Sequence, residues 1–209
     1  MQETKEILDA IKEDHSAVVD EVLKILSIWQ IQKILKNLLK ENVSIGRLSI
    51  ILEALVQYVY ITTDIRFLTE KTRQALADQI CFQYANEERV LHVLILDPSL
   101  EQKIIESKSM NSAEEEISAL EPNVYRAWIK ALGKAVKTVV EQGFKLVILC
   151  TLQARYLTRT ALEREYPEVA VLSVNEITID YTMESLGVIK LDDDELTYYL
   201  STLMPGIDD

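Results

Sequence analysis

The chain has 209 residues, enough for one large domain or two small ones, and with 48% hydrophobic and 27% charged residues it is expected to pack a core. Five glycines and four prolines leave few turns, which argues against an all-β sandwich or a repeat barrel. Thirty-four acids against 22 bases give a net charge of −12, which excludes nucleic-acid binding through the bulk surface, because phosphate contacts need an excess of Lys and Arg.

Residues 3 to about 85 predict helix after helix. Ile7, Leu8 and Ile11 keep helical spacing, and Ser16 is a candidate N-cap for a segment carrying Val18, Val19, Val22, Leu23, Ile25 and Leu26. From Ile28 to Glu41, Ile31, Ile34, Leu35, Leu38 and Leu39 fall on one face, with Gln32, Lys33, Lys36 and Lys40 on the other. Ser44 is expected to cap the helix of Leu48, Ile51, Leu52 and Leu55. Thr63 or Asp64 is expected to cap one long helix holding Ile65, Leu68, Thr72, Leu76 and Ile80. Short loops imply that these helices pack as a bundle.

The pattern then changes. Val90–Leu96 is an apolar run ended by Asp97-Pro98, a buried strand running into a helix whose first turn holds the proline. Residues 107–121 are polar and aperiodic and read as a loop. Pro122 opens a helix through Trp128, Leu132, Val136 and Val139, and Gly143 closes it as C′. Lys145–Cys150 predicts a second strand, a helix follows from about Gln153 to Tyr166, Val169–Val174 predicts a third strand, and Val188–Leu191 a fourth. A last short helix is expected over 193–203. The fold class expected is α+β: a helical bundle over 1–88, then a small α/β subdomain over 89–209 with a three- or four-stranded sheet and an acidic tail.

No catalytic, metal or cofactor site is expected. Phosphate loops, dinucleotide turns, H-E-x-x-H and G-x-S-x-G are all missing from the sequence. The two histidines are His15, at a helix junction, and His92, inside an apolar strand, where a packed residue is the simpler reading. Asp192-Asp193-Asp194-Glu195 lacks the alternate spacing and the glycine of a calcium loop. Cys81 and Cys150 have no disulfide spacing and read as buried thiols of a reducing compartment. No run of 18 apolar residues and no signal core occurs. These features favour a binding or assembly module. The alternatives are a small α/β enzyme with a carboxylate-based site at the carboxyl ends of the strands, or a generic acidic adaptor for a helical partner.

The stretch Ile31–Ile45, IQKILKNLLKENVSI, followed by Ile51-Leu52-Glu53-Ala54-Leu55, resembles the QxVLxxLLxExVSIRxLxxILExL block of the FlhA/InvA family, the large export-gate proteins of type III secretion systems. Three more blocks agree in order: Leu68-Thr69-Glu70 with Arg73, Ala75, Leu76 and Gln79-Ile80; Leu96-Asp97-Pro98-Ser99-Leu100-Glu101; and Pro167–Ser173 with Asn175-Glu176-Ile177. They span about residues 25–180. Gly46-Arg47 departs from the family, which carries Arg first. Leu68-Thr69-Glu70 and Cys81-Phe82-Gln83-Tyr84 look more like the virulence branch than the flagellar one.

The resemblance implies a fragment, the third and fourth cytoplasmic subdomains of a bacterial inner-membrane protein, joined to the membrane only through an N-terminal region outside this sequence. It implies a homo-oligomer, a ring of nine in the full protein. It also implies as partners the coiled-coil stalk protein of the export ATPase complex, chaperone–effector complexes and a gatekeeper. A ring needs two different patches meeting on neighbouring copies. Candidates for that contact are the helix charges Arg47, Glu53, Arg66, Glu70, Arg73 and Asp78. For the stalk, residues 176–209 hold nine acids and one base, −8 of the −12. Asp192, Asp193, Asp194 and Glu195 would steer a basic coiled coil, with Tyr156, Tyr166, Tyr198 and Tyr199 as anchors.

Overall fold

The structure, a computed structural model, describes residues 2–110 and 116–191. The chain divides into two compact units, Met1–Gln83 and Tyr84–Asp209.

The first unit is helical: α1 (Gln2–Leu23), α2 (Ile28–Lys40), α3 (Leu48–Val59), α4 (Ile65–Ala75) and α5 (Ala77–Tyr84). α1 is interrupted at His15, whose φ of −129° and ψ of 42° break the helical path, so the discontinuity expected near Ser16 lies one residue earlier within one element. Ser27 caps α2 reciprocally with Gln30, a capping box that satisfies two backbone donors. α2 ends with Asn42 at φ 57°, and Val43 N–H donates to Leu38 O at 2.9 Å, a Schellman closure with Asn in place of Gly. The Ser44 cap does not form. Ser44 Oγ accepts from Gly46 N–H at 3.2 Å, and the N-cap of α3 is Arg47, which makes no side-chain cap bond. Asp64 caps α4 by accepting from Phe67 N–H at 2.6 Å. The single long helix expected from residue 65 is in fact two, parted at Leu76 (φ −92°, ψ 11°). Ile31, Ile34 and Leu38 from α2, Ile51, Leu52 and Leu55 from α3, and Leu68, Leu76, Ile80 and Cys81 form the buried interior.

The second unit carries β1 (Val90–Leu96), α6 (Pro98–Glu106), β2 (Lys108–Met110), β3 (Glu116–Ser118), α7 (Pro122–Glu141), β4 (Val147–Cys150), α8 (Leu152–Leu162), β5 (Ala170–Ser173), a 3₁₀ turn (Val174–Glu176) and β6 (Thr182–Ile189). The main sheet has four strands in the order β5-β4-β1-β6, all parallel. The expected loop 107–121 contains instead a short antiparallel pair, β2 with β3. The fourth strand starts six residues before the position expected for it. It carries a bulge where Val93 pairs with Ser185 but Leu94 with Gly187, whose φ of 154° suits glycine.

Leu94, Leu96, Ile148, Cys150, Val171 and Ile189 meet Leu100 and Ile104 of α6, Trp128, Leu132 and Val139 of α7, and Ala154, Leu157 and Leu162 of α8 in one core. On the opposite face of the sheet Leu91, Val93, Val147, Leu149 and Leu172 are buried too. Both-face burial explains why β1 and β4 read as continuous apolar runs. α7 closes with Gly143 at φ 76°, where Phe144 N–H donates to Val139 O. Both cysteines are buried, and neither is in a disulfide. The helix expected over 193–203 lies outside the described residues.

Candidate functional site

The helix charges fall into three settings. Arg47 Nη1 lies 4.0 Å from Asp78 Oδ2, with both side chains more than half exposed. Such a pair contributes roughly 0–1 kcal/mol of stability and leaves both groups available to a partner. Glu53 is exposed on α3. Arg66 and Glu70 are half-buried on α4 and hold partners of their own. Arg73 is different: it lies on the buried face of α4, 2% exposed, with Nη1 3.0 Å from Glu41 Oε2. Its guanidinium is therefore internal to the helical unit. The periodicity of α4 hints at this, since Thr69 one turn earlier is buried; the acid 32 positions away is invisible in sequence.

Of the aromatic anchors, Tyr166 is half-buried and packs against the core of its own unit. A Cβ at Gly133 would stand 3.2 Å from its hydroxyl, so the glycine gives Tyr166 room to lie across α7. Tyr156 is half-buried on α8 with a partner. Asp192, Asp193, Asp194, Glu195, Tyr198 and Tyr199 lie outside the described residues.

The carboxyl ends of the parallel strands are where an α/β enzyme would place its reacting groups. Here their carboxylates are taken up by backbone amides. Asp97 Oδ1 accepts from Ser99 N–H at 2.9 Å, from the Ser99 hydroxyl and from Leu100 N–H at 3.4 Å. Those bonds, the Ser99 hydroxyl first, hold the Asp97 carboxyl below the ordinary range. Glu101, 8% exposed, accepts from Thr151 N–H at 3.0 Å, tying α6 to the start of α8. Glu176, 1% exposed, accepts from Ser173 N–H at 2.7 Å and from the Ser173 hydroxyl at 3.0 Å. Among the described residues no group of three or more His, Cys, Asp or Glu is placed to hold a metal ion. His92 stacks on Phe144 with ring centroids 4.0 Å apart, and its Nε2 lies 3.4 Å from Glu184 across the β1–β6 pair.

Sequence reasoning passed over the exposed apolar side chains. In the helical unit Phe82 (77% exposed), Ile61 (72%) and Tyr60 (65%) stand out. The Tyr60 hydroxyl donates to Glu21, which also pairs with Lys24. The Lys24 hydrogen bond first and the Tyr60 bond second hold the Glu21 carboxyl below its usual range. Nothing in a helical pattern separates an exposed Ile from a buried one at the end of an element. No helix among the described residues is long and apolar enough to cross a membrane.

Comparison with known proteins places this scaffold. The model of the FHIPEP family matches residues 1–182. The flagellar biosynthesis protein FlhA of Borreliella burgdorferi is 37% identical over 192 residues, 92% of this chain and 27% of that protein. The low calcium response locus protein D of Yersinia pestis is 30% identical over 191 residues, 91% of this chain and 27% of that protein. The chain thus spans about a quarter of the length of the curated relatives it matches. The Chlamydia pneumoniae CdsV protein superposes with a TM-score of 0.82 at 26% identity, over 91% of this chain and 54% of that one. The same CdsV in complex with CdsO gives 0.83 at 28%, over 90% and 55%. The nonameric SctV-C of EPEC gives 0.79 at 27%, over 90% and 56%. With a family model covering most of its length and a relative at 37% identity, this chain belongs to the FHIPEP family.

Proposed function

We propose that this chain is part of the cytoplasmic ring of a type III secretion export gate, a scaffold that docks a stalk protein and chaperone–substrate complexes during protein export. The observation that carries it is the likeness, over 90% of the chain, to a domain solved as a nonamer. The helical unit would be the third cytoplasmic subdomain and supply ring contacts through Arg47, Glu53 and Asp78, with Arg66 and Glu70 as further candidates. The α/β unit would be the fourth. The native protein would sit in the bacterial inner membrane with this part on the cytoplasmic side, as membership of the family implies.

For the stalk, a CdsV relative has been solved in complex with CdsO, which supports a protein partner for a member of this family. The acidic residues 192–195 suit a basic coiled coil, with Tyr156, Tyr166, Tyr198 and Tyr199 as the apolar contacts under test. The physical fit is that of a scaffold: tight packing, charges of both signs on the helical unit, and strand-end carboxylates occupied as caps. Cryo-electron microscopy of the whole natural protein that contains this chain should show rings of nine, and a titration with the stalk protein should show binding to them. A protein that stays monomeric at every concentration overturns the ring, and rings that ignore the stalk protein overturn the docking role.

A further inference from the structure

The two edges of the main sheet differ. β5 has four residues, all buried. β6 has eight, and Thr182, Met183, Glu184, Ser185 and Val188 are exposed. Among the described residues no strand pairs with its outer side. Thr182 N–H donates to Arg89 O at 3.1 Å, and Ile189 O accepts from Asp97 N–H at 3.0 Å, so these two residues turn their backbone groups toward β1. Successive residues of a strand turn those groups to opposite sides. The N–H and C=O of Met183 and Ser185, and of Val188 beyond the bulge, therefore point away from the sheet.

The bulge and Glu184 keep this edge from being a flat apolar template for aggregation. They still leave Met183 (51% exposed) and Val188 (53%), in register with Leu91 and Ile95 on the sheet face away from α6, α7 and α8. The surface around the start of β6 is acidic. Glu184 is 65% exposed, Asp180 is exposed, and the turn leading into β1 adds exposed Glu87 and Glu88. Arg89 of that turn lies over the Tyr181 ring, 5.7 Å from its centroid. A helix or coiled coil satisfies its own amides and carbonyls and has none to offer the outward groups of β6. A second copy of β6 would bring the same acids, and like charges across a strand pair are unfavourable. An extended segment with basic residues meets both demands.

We infer that the outer edge of β6 takes an extended, basic segment of a partner protein as an added strand. The segment's backbone pairs with Met183, Ser185 and Val188, and its apolar side chains lie over Met183 and Val188. Its Lys or Arg side chains meet Glu87, Glu88, Asp180 and Glu184. Main-chain bonds supply the affinity, and the acids select the sign of the partner's charge. The site is separate from the ring contacts and from the coiled-coil docking proposed above, and it stands without either.

The test uses the 209-residue chain and a synthetic peptide as long as β6, alternating Val with Thr and carrying Lys at both ends. Amide hydrogen exchange is followed by NMR. At saturating peptide, exchange at Met183, Ser185 and Val188 should slow about tenfold, while Thr182, already bonded to β1, should change little. The same peptide N-methylated on alternate amides should lose the effect. A peptide with Asp in place of Lys should bind about tenfold more weakly, and Glu184→Lys should narrow that difference. Ser185→Pro removes an outward donor, which an edge strand tolerates, and should abolish the protection with the fold intact by circular dichroism. No slowing with the Lys peptide, or equal slowing with its N-methylated form, overturns the inference. So does protection of the same amides by a helical Lys-rich peptide. Slowing that grows with protein concentration in the absence of peptide means that a second copy occupies the edge, and it overturns the inference too.

Discussion

Arg73 on α4 and Glu41 at the end of α2 form a buried ion pair, Nη1 to Oε2 at 3.0 Å, with side chains only 2% and 11% exposed. Nearby, Asn37 Nδ2 donates to Thr69 Oγ1 at 3.3 Å, so the same two helices are joined twice by polar contacts. Residues 32 positions apart in sequence thereby fix the rotation of α4 against α2.

Removing one partner of a buried pair leaves a charge without its counter-ion, which costs about 3–5 kcal/mol. Glu41→Ala should therefore destabilise the helical unit by about that amount. Urea denaturation followed through the fluorescence of Trp29, in a Trp128→Phe background, reads this unit. A loss under about 1 kcal/mol, the range of a surface pair, would show the pair to be no more than that.

Asp97 should act as a cap and no more. Asp97→Ala is expected to cost about 0.5–2 kcal/mol, read from Trp128 fluorescence in a Trp29→Phe background. The folded-state pKa of Asp97 is depressed, so its contribution is fully present above the unfolded value, about 3.9, and fades as pH falls through the lower folded value. The gap between the parent chain and Asp97→Ala should stay constant from neutral pH to about pH 5 and close below about pH 4. A gap unchanged down to pH 2 would contradict capping by the carboxylate.

Glu101 links α6 to α8 by accepting the Thr151 amide. Glu101→Ala strands a partly buried donor, which costs about 1–3 kcal/mol. Thermal unfolding monitored at the same tryptophan should show the loss. An unchanged midpoint would mean that water satisfies Thr151.

Residues 192–209 contain six acids and no base, half of the net −12. Deleting them should slow association with a basic coiled-coil stalk protein at low salt and have little effect at high salt, because the Debye length shrinks from about 10 Å at 0.1 M to about 3 Å at 1 M. Stopped-flow mixing at two ionic strengths measures this. Equal association rates with and without the segment at low salt would remove its steering role.

The sequence by itself determined those features whose cause is local. Asp97-Pro98 names both the end of β1 and the start of α6, because a carboxylate cap and a proline at N1 act within three residues. Gly143 names the end of α7 for the same reason, a positive φ that glycine adopts freely. Val90–Leu96 and Val147–Cys150 announce themselves because strands buried on both faces admit little but apolar residues. The family, too, was legible from four short blocks in order.

Only the tertiary structure decided what depends on distant partners. The break at Leu76 has no proline or glycine to mark it. β6 reads TMESLGVI, with no alternation, because it is a bulged edge strand with most of its side chains exposed, held by pairing with β1 some 90 positions away. Arg73 looks like a surface charge until Glu41 meets it. Ser44 is a good cap in composition, but its hydroxyl accepts from Gly46 N–H, and the N-cap of α3 is Arg47, three residues after Ser44. The exposure of Tyr60, Ile61 and Phe82 likewise follows from which helices pack beside them, and a one-dimensional pattern carries the period of a helix but not the neighbours that cover its faces.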